Sequence, residues 1–236
     1  RHDNLQYWSD SDGDTDGTLD GSWGAAISTI PATWSAPNWT YTLSDGSVWA
    51  VDNTSYSVTA WALDVPGSTS AIVGPNTFMF DRNLPTATVT SPVNASFMTD
   101  ANIIISGTAD DLTVNPEDSA TNISTVTVAV SSANPPIAGT WWNKTSFTAT
   151  NAVFLTTTGW TPAQSPDQWQ WDRLLIGPGQ LTSGTTYTIR VKVVDKAGNP
   201  RTMTDTSFVF DSGEPLAGVA DPADGNYKNT VTMIKG

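Results

Sequence analysis

In 236 residues the chain carries a formal net charge of −13, no Cys, and a single His at position 2. The acidic excess argues against a phosphate-reading nucleic-acid interface, which needs clustered Lys and Arg. The missing Cys excludes disulfides and thiolate metal sites, and one His at the start excludes His-ligated zinc and nucleophile–histidine catalysis. The acidic residues are 21 Asp and only two Glu, Glu117 and Glu214. They sit in a background of Thr, Ser, Asn and Gly, the composition of β-sheet surfaces and their turns. No apolar run is long enough to cross a membrane, so no membrane insertion is expected here.

Residues 1–24 place Tyr7 and Trp8 before an acidic, Gly-rich loop and then Trp23. Residues 33–63 read as strands, TWSAPNWTYTL, SVWAV and SYSVTAWAL, the last with Tyr56, Val58, Ala60 and Ala62 on one face. GPNT, residues 74–77, predicts a turn into FMFDRNLP, Phe78–Pro85. There Phe78 and Phe80 alternate before Asp81, and Pro85 cannot donate to a ladder, so the segment reads as a strand leaving its sheet. TATVTSP and NIIISGTADD predict two further strands, followed by a polar loop at 112–122. ISTVTVAVS is a period-two strand with Val126, Val128 and Val130 on one face, and residues 137–180 are Trp-rich and irregular. TYTIRVKVVDKAGN predicts a strand ending in a tight turn at Gly198-Asn199, and FVFDSGEP follows at Phe208–Pro215. No stretch carries a 3.6-residue apolar period, which predicts an all-β sandwich.

The sequence repeats itself. Phe78, Phe80, Asp81 and Pro85 recur as Phe208, Phe210, Asp211 and Pro215, a shift of 130 residues. SYSVTAWALD at 55–64 aligns with TYTIRVKVVD at 186–195, Trp39 and Tyr41 align with Trp169 and Trp171, and TSPVNASF at 90–97 aligns with ADPADGNY at 220–227. Self-similarity of this length at one period means an array of like modules. The expected units are residues 1–84, a module lacking its first strands; 85–213, a complete module; and 214–236, the opening strands of a further one. Two explanations of the phase stay open: a segment of a longer array, or head-to-tail assembly in which residues 215–236 complete another copy by strand addition.

The strand YTIRVKVVDKAGN, a strand ending FVFD, a Pro and an ISGTADD strand resemble the bacterial immunoglobulin-like (Big-type) repeats of prokaryotic surface proteins and adhesins. The matching segments are Tyr56–Asp64, Phe78–Asp81, Ile103–Asp111, Tyr187–Asn199 and Phe208–Asp211. The first copy departs from the pattern, with WALDVPGS in place of VVDKAGN. The resemblance implies tandem immunoglobulin-like β-sandwich domains, a cell-surface location, and a non-catalytic stalk or filament whose partners are neighbouring copies or domains of the same protein. It also implies calcium at the joints, where carboxylates stiffen the linker. The corresponding residues are Asp81 and Asp211 at the module exits and Asp110 and Asp111 after the GTA strand, with Asp64 and Asp195 before the adjoining turn. The plain alternative is that each Asp caps its own turn.

Three further candidates come from the residues themselves. Asp12, Asp14 and Asp16, then Gly17 and Asp20, match the first part of a calcium loop of the EF-hand type, but Trp23 stands where the bidentate Glu belongs. Asn38, Asn53, Asn94, Asn122 and Asn143 each begin an Asn-x-Ser/Thr sequon and are candidate glycosylation sites. The 11 Trp raise the alternative function of a carbohydrate-binding adhesin with Trp169 and Trp171 as the platform, although matched positions in both copies favour packing. A two-carboxylate glycosidase is the one formal catalytic possibility, and tandem small sandwiches seldom supply its cleft.

Overall fold

The structure is a computed structural model that describes residues 7–9, 22–24, 32–35, 37–42, 52, 54–99, 104–111, 122–157, 167–171, 176 and 179–236. Every helical or sheet element among them is a β-strand, and none of the described residues forms a helix long and apolar enough to cross a membrane. The predicted strand SVWAV lies outside the described residues.

Two short hairpins come first, β1 (Tyr7–Ser9) with β2 (Ser22–Gly24) and β3 (Thr33–Ser35) with β4 (Asn38–Thr40). A longer one joins β5 (Thr54–Ala60) to β6 (Val73–Phe80). A register shift between Val58 and Ala60 interrupts the expected alternation, so Tyr56 is 1% exposed while Val58 is 42% exposed. Residues 74–77 belong to β6 and do not form the predicted turn. Gly74, at φ 105, falls inside the register shift, where a Cβ would stand 2.8 Å from the Val58 carbonyl oxygen. A bulge and a turn ask for the same left-handed glycine, which is why the sequence suggested the wrong one.

From Thr86 the chain passes back and forth between two facing sheets. Its strands are β7 (Thr86–Ser91), β8 (Ser96–Met98), β9 (Ile105–Asp110), β10 (Ile123–Ser131), β11 (Trp141–Trp142), β12 (Phe147–Ala149), β13 (Leu155–Thr156), β14 (Asp167–Trp171), β15 (Thr185–Asp195), β16 (Pro200–Thr202) and β17 (Thr206–Phe210). One sheet has the order β14-β9-β7; the other runs β12-β11-β10-β15-β17-β8, with β13 on β10 and β16 on β15. Pairing is antiparallel except for β8, which runs parallel to β17. The opening strand is thus shared between the sheets, as β7 in one and β8 in the other, an immunoglobulin-like arrangement.

Alternation fills the space between the sheets. Val126, Val128 and Val130 of β10 lie beside Ile189, Val191 and Val193 of the neighbouring β15 on the inner face of one sheet, with Tyr187 further along β15, all at most 2% exposed, in one core with Trp142, Trp169, Trp171, Phe208 and Phe210. Each such side chain contributes roughly 1.5–3 kcal/mol by leaving water. Trp169 lies directly over Gly107 in the register of β14 and β9, and no Cβ fits between the ring and the Thr88 carbonyl. The Thr182 amide donates to the Tyr187 hydroxyl at 2.8 Å, the tyrosine corner found where such a strand begins.

The hairpin of β5 and β6 and the pairing of β15 with β17 match residue for residue. Thr54 opposes Phe80 and Tyr56 opposes Phe78, as Thr185 opposes Phe210 and Tyr187 opposes Phe208. Tyr56 stacks on Phe78 at 5.8 Å and 24°, Tyr187 on Phe208 at 5.5 Å and 22°. The following turns also agree. The Ser68 amide donates to Asp64 Oδ1 at 2.6 Å and the Asn199 amide to Asp195 Oδ1 at 2.7 Å, with Gly67 at φ 94 and Gly198 at φ 96. WALDVPGS therefore makes the same turn as VVDKAGN, because the Asp carboxylate and the left-handed glycine define it. Burial differs: Phe78 is 39% exposed and Phe208 1%. In residues 214–236, Ala220 and Asp221 bridge to Lys235, and Gly225 (φ 76) takes the left-handed conformation of its counterpart Ala95 (φ 61).

Candidate metal centre

Three strands deliver one carboxylate each to a single point. Asp81 follows β6, Asp111 follows β9, and Asp195 ends β15. One oxygen from each lies within 4.8 Å of the other two. Strand periodicity sets two of them. Ile105, Gly107, Ala109 and Asp111 alternate inward along β9 and its end, as do Tyr187, Ile189, Val191, Val193 and Asp195 along β15. Asp111 and Asp195 are 2% and 1% exposed.

The three are held very differently. Asp195 Oδ1 accepts from the Asn199 amide, and its Oδ2 accepts from Asn199 Nδ2 at 2.8 Å. Asp81 Oδ1 accepts from the Asn83 amide at 2.9 Å, and its carbonyl accepts from Asn199 Nδ2 at 3.1 Å. No N–H or hydroxyl among the described residues donates to either oxygen of Asp111. A buried carboxylate without a donor is the costliest polar group a fold can keep. Burial, then the charges of Asp81 and Asp195, push its pKa up from the ordinary 3.8 to about 7. The contact with Asp81 also favours the protonated form, since two carboxylates share a hydrogen bond only when one carries the proton. Asp110, outside the converging trio, adds a weaker repulsion.

An orphaned carboxylate beside two others fits a hard divalent cation. Calcium binds oxygen at 2.3–2.6 Å, so an ion midway between oxygens up to about 4.8 Å apart touches both. At that separation each like-charge pair costs on the order of 3 kcal/mol at an effective dielectric near 20, and a bound cation turns this repulsion into attraction.

Of the predicted site residues, Asp81 and Asp111 meet, and Asp195 joins them. Asp211 lies apart from the trio. Its Oδ1 accepts from the Gly213 amide at 3.0 Å, repeating the turn at Asp81, and from Ser183 Oγ at 3.2 Å. Asp12, Asp14, Asp16, Asp20 and Asn53 lie outside the described residues. Trp169 and Trp171 are 1% and 2% exposed and form core, so they offer no face to a sugar. The reason is the strand period: both point inward from β14, and Trp169 seats on Gly107. Among the sequons, Asn122 is buried and has no room for a glycan in the folded chain. Asn38 and Asn94 are exposed, and Asn143 Nδ2 is engaged by Thr148 Oγ1 at 3.0 Å.

No protein-family model and no curated protein matches the sequence. Among solved structures, the fibronectin(III)-like modules of Clostridium thermocellum CbhA are similar at 16% identity and a TM-score of 0.32, over 67% of this chain and 62% of that one. The fold is all-β, with the strands of the immunoglobulin-like sandwich described above.

Proposed function

We propose that the chain is a non-catalytic structural segment of an extracellular prokaryotic surface protein, built from repeated immunoglobulin-like modules of the Big type joined end to end, with calcium at the joint. The observation that carries this reading is the Asp81–Asp111–Asp195 cluster. Its first member lies just after the last strand of one repeat and its other two at strand ends of the next, so a cation there fastens neighbour to neighbour. The matched pairing and ring stacking of the two Tyr–Phe hairpins support the modular part. Repetition gives reach, because each module contacts chiefly its neighbours. Melting the protein with calcium chloride and with EGTA tests the reading: calcium should raise the midpoint, and coincident midpoints would remove the ion from the account.

A second reading concerns residues 214–236, where Leu216 and Tyr227 are about fully exposed (98% and 103%) and Ile234 is 71% exposed. These side chains suit strand addition to another copy. Deleting 215–236 should abolish any polymer the full chain forms, and filaments that persist would reject the exchange.

A further inference from the structure

The joint is gripped from both sides. Arg82 donates from its backbone amide and its Nε to Asp52 Oδ1, both at 3.1 Å, and its guanidinium lies 5.1 Å from the centre of the Phe80 ring. One residue earlier the Asp81 carbonyl accepts from Asn199 Nδ2, a bond spanning 118 positions of sequence. That same amide nitrogen donates to Asp195 Oδ2, while the Asn199 backbone amide holds Asp195 Oδ1. We infer that Asn199 is a positioning residue, a latch that fixes the path of the linker and sets two of the three carboxylates in place. The cation reading supplies only the second of its two consequences. The first, a linker held still, follows from the amide alone.

The sequence supplies a clean variant. Ser68 occupies the corresponding position in the first repeat, and its backbone amide makes the same bond to Asp64 Oδ1. Asn199→Ser therefore keeps the turn and removes only the Nδ2 bonds. Trypsin can cut after Arg82, in the linker, and after Lys228, an exposed residue remote from the latch in sequence. In EGTA, the rate of cutting at Arg82, followed by mass spectrometry and normalised to Lys228, should rise about fivefold for N199S, the equivalent of one lost hydrogen bond of about 1 kcal/mol. In calcium titrations by calorimetry, N199S should bind about tenfold more weakly, as expected when an outer-shell partner is lost. Equal Arg82 cleavage in the two proteins overturns the latch. Wild-type protein that gives no calcium heat defeats the cation reading and leaves the cleavage result to judge the latch. A midpoint in EGTA that falls with cutting at both sites alike would show a generally destabilised fold and also overturn it.

Discussion

Replacing Asp111 with Asn should make the metal-free protein more stable, an unusual result for a buried polar position. Asp111 is 2% exposed, has no donor on either oxygen among the described residues, and faces two other carboxylates. Raising its pKa from 3.8 to about 7, at about 1.4 kcal/mol for each tenfold change in proton affinity, corresponds to a penalty on the order of 4 kcal/mol once the group is ionised. Asn has nearly the same shape, carries no charge, and brings an amide that can donate to Asp81 or Asp195. Even if the amide is imperfectly satisfied, at least about 2 kcal/mol should be recovered, raising the midpoint by about 5 °C or more. The assay is thermal unfolding in EGTA at pH 8. In saturating calcium the order should reverse, because the variant lacks a charged ligand. A variant that melts below wild type in EGTA would refute the argument that Asp111 is an uncompensated charge.

The pH dependence of the metal-free protein follows from the same group. A folded pKa above the unfolded one stabilises at low pH, and that stability is lost as pH rises through the folded value. So the contribution of Asp111 should be complete below about pH 4 and gone above about pH 7. The advantage of D111N over wild type in EGTA should grow across this range and then level off, and a flat difference would contradict it. Gly107→Ala should cost about 3 kcal/mol by chemical denaturation, since the new methyl meets both the Thr88 carbonyl and the Trp169 ring. Tyr187→Phe should cost about 1 kcal/mol through the bond from the Thr182 amide. Trp171→Ala should lower stability by about 3–5 kcal/mol in the same measurement. A glycan array should show no sugar binding through this residue; unchanged stability with lost binding would restore the platform reading.

Much of this was legible in the sequence because strands write their burial in a period of two. The Val126–Val130 and Tyr187–Val193 alternations appear in the core as read. The same period could have identified the site. Extending it one step past Ala109 selects Asp111 over Asp110, and one step past Val193 makes Asp195 inward. For Asp195 the two readings, joint carboxylate and turn cap, both hold: its oxygens serve Asn199 and the cluster at once. Asp211 pairs with Asp81 in the sequence because both follow a Phe-x-Phe pair and precede a Pro by four positions, and both accept from the backbone amide two residues on. What separates them is whether two further carboxylates arrive from distant strands, and that is a property of the tertiary fold. The Trp-rich stretch was ambiguous for a different reason, since an indole serves equally as core or as platform. Only the pairing of β14 with β9, which turns Trp169 onto Gly107, decides for core.

The most direct test of the central claim is a crystal structure of the protein grown with calcium chloride, with an anomalous difference map. The account predicts one strong peak about 2.4 Å from an oxygen of each of Asp81, Asp111 and Asp195. A map with no peak among these three carboxylates at saturating calcium, in a crystal where they still converge, would contradict it.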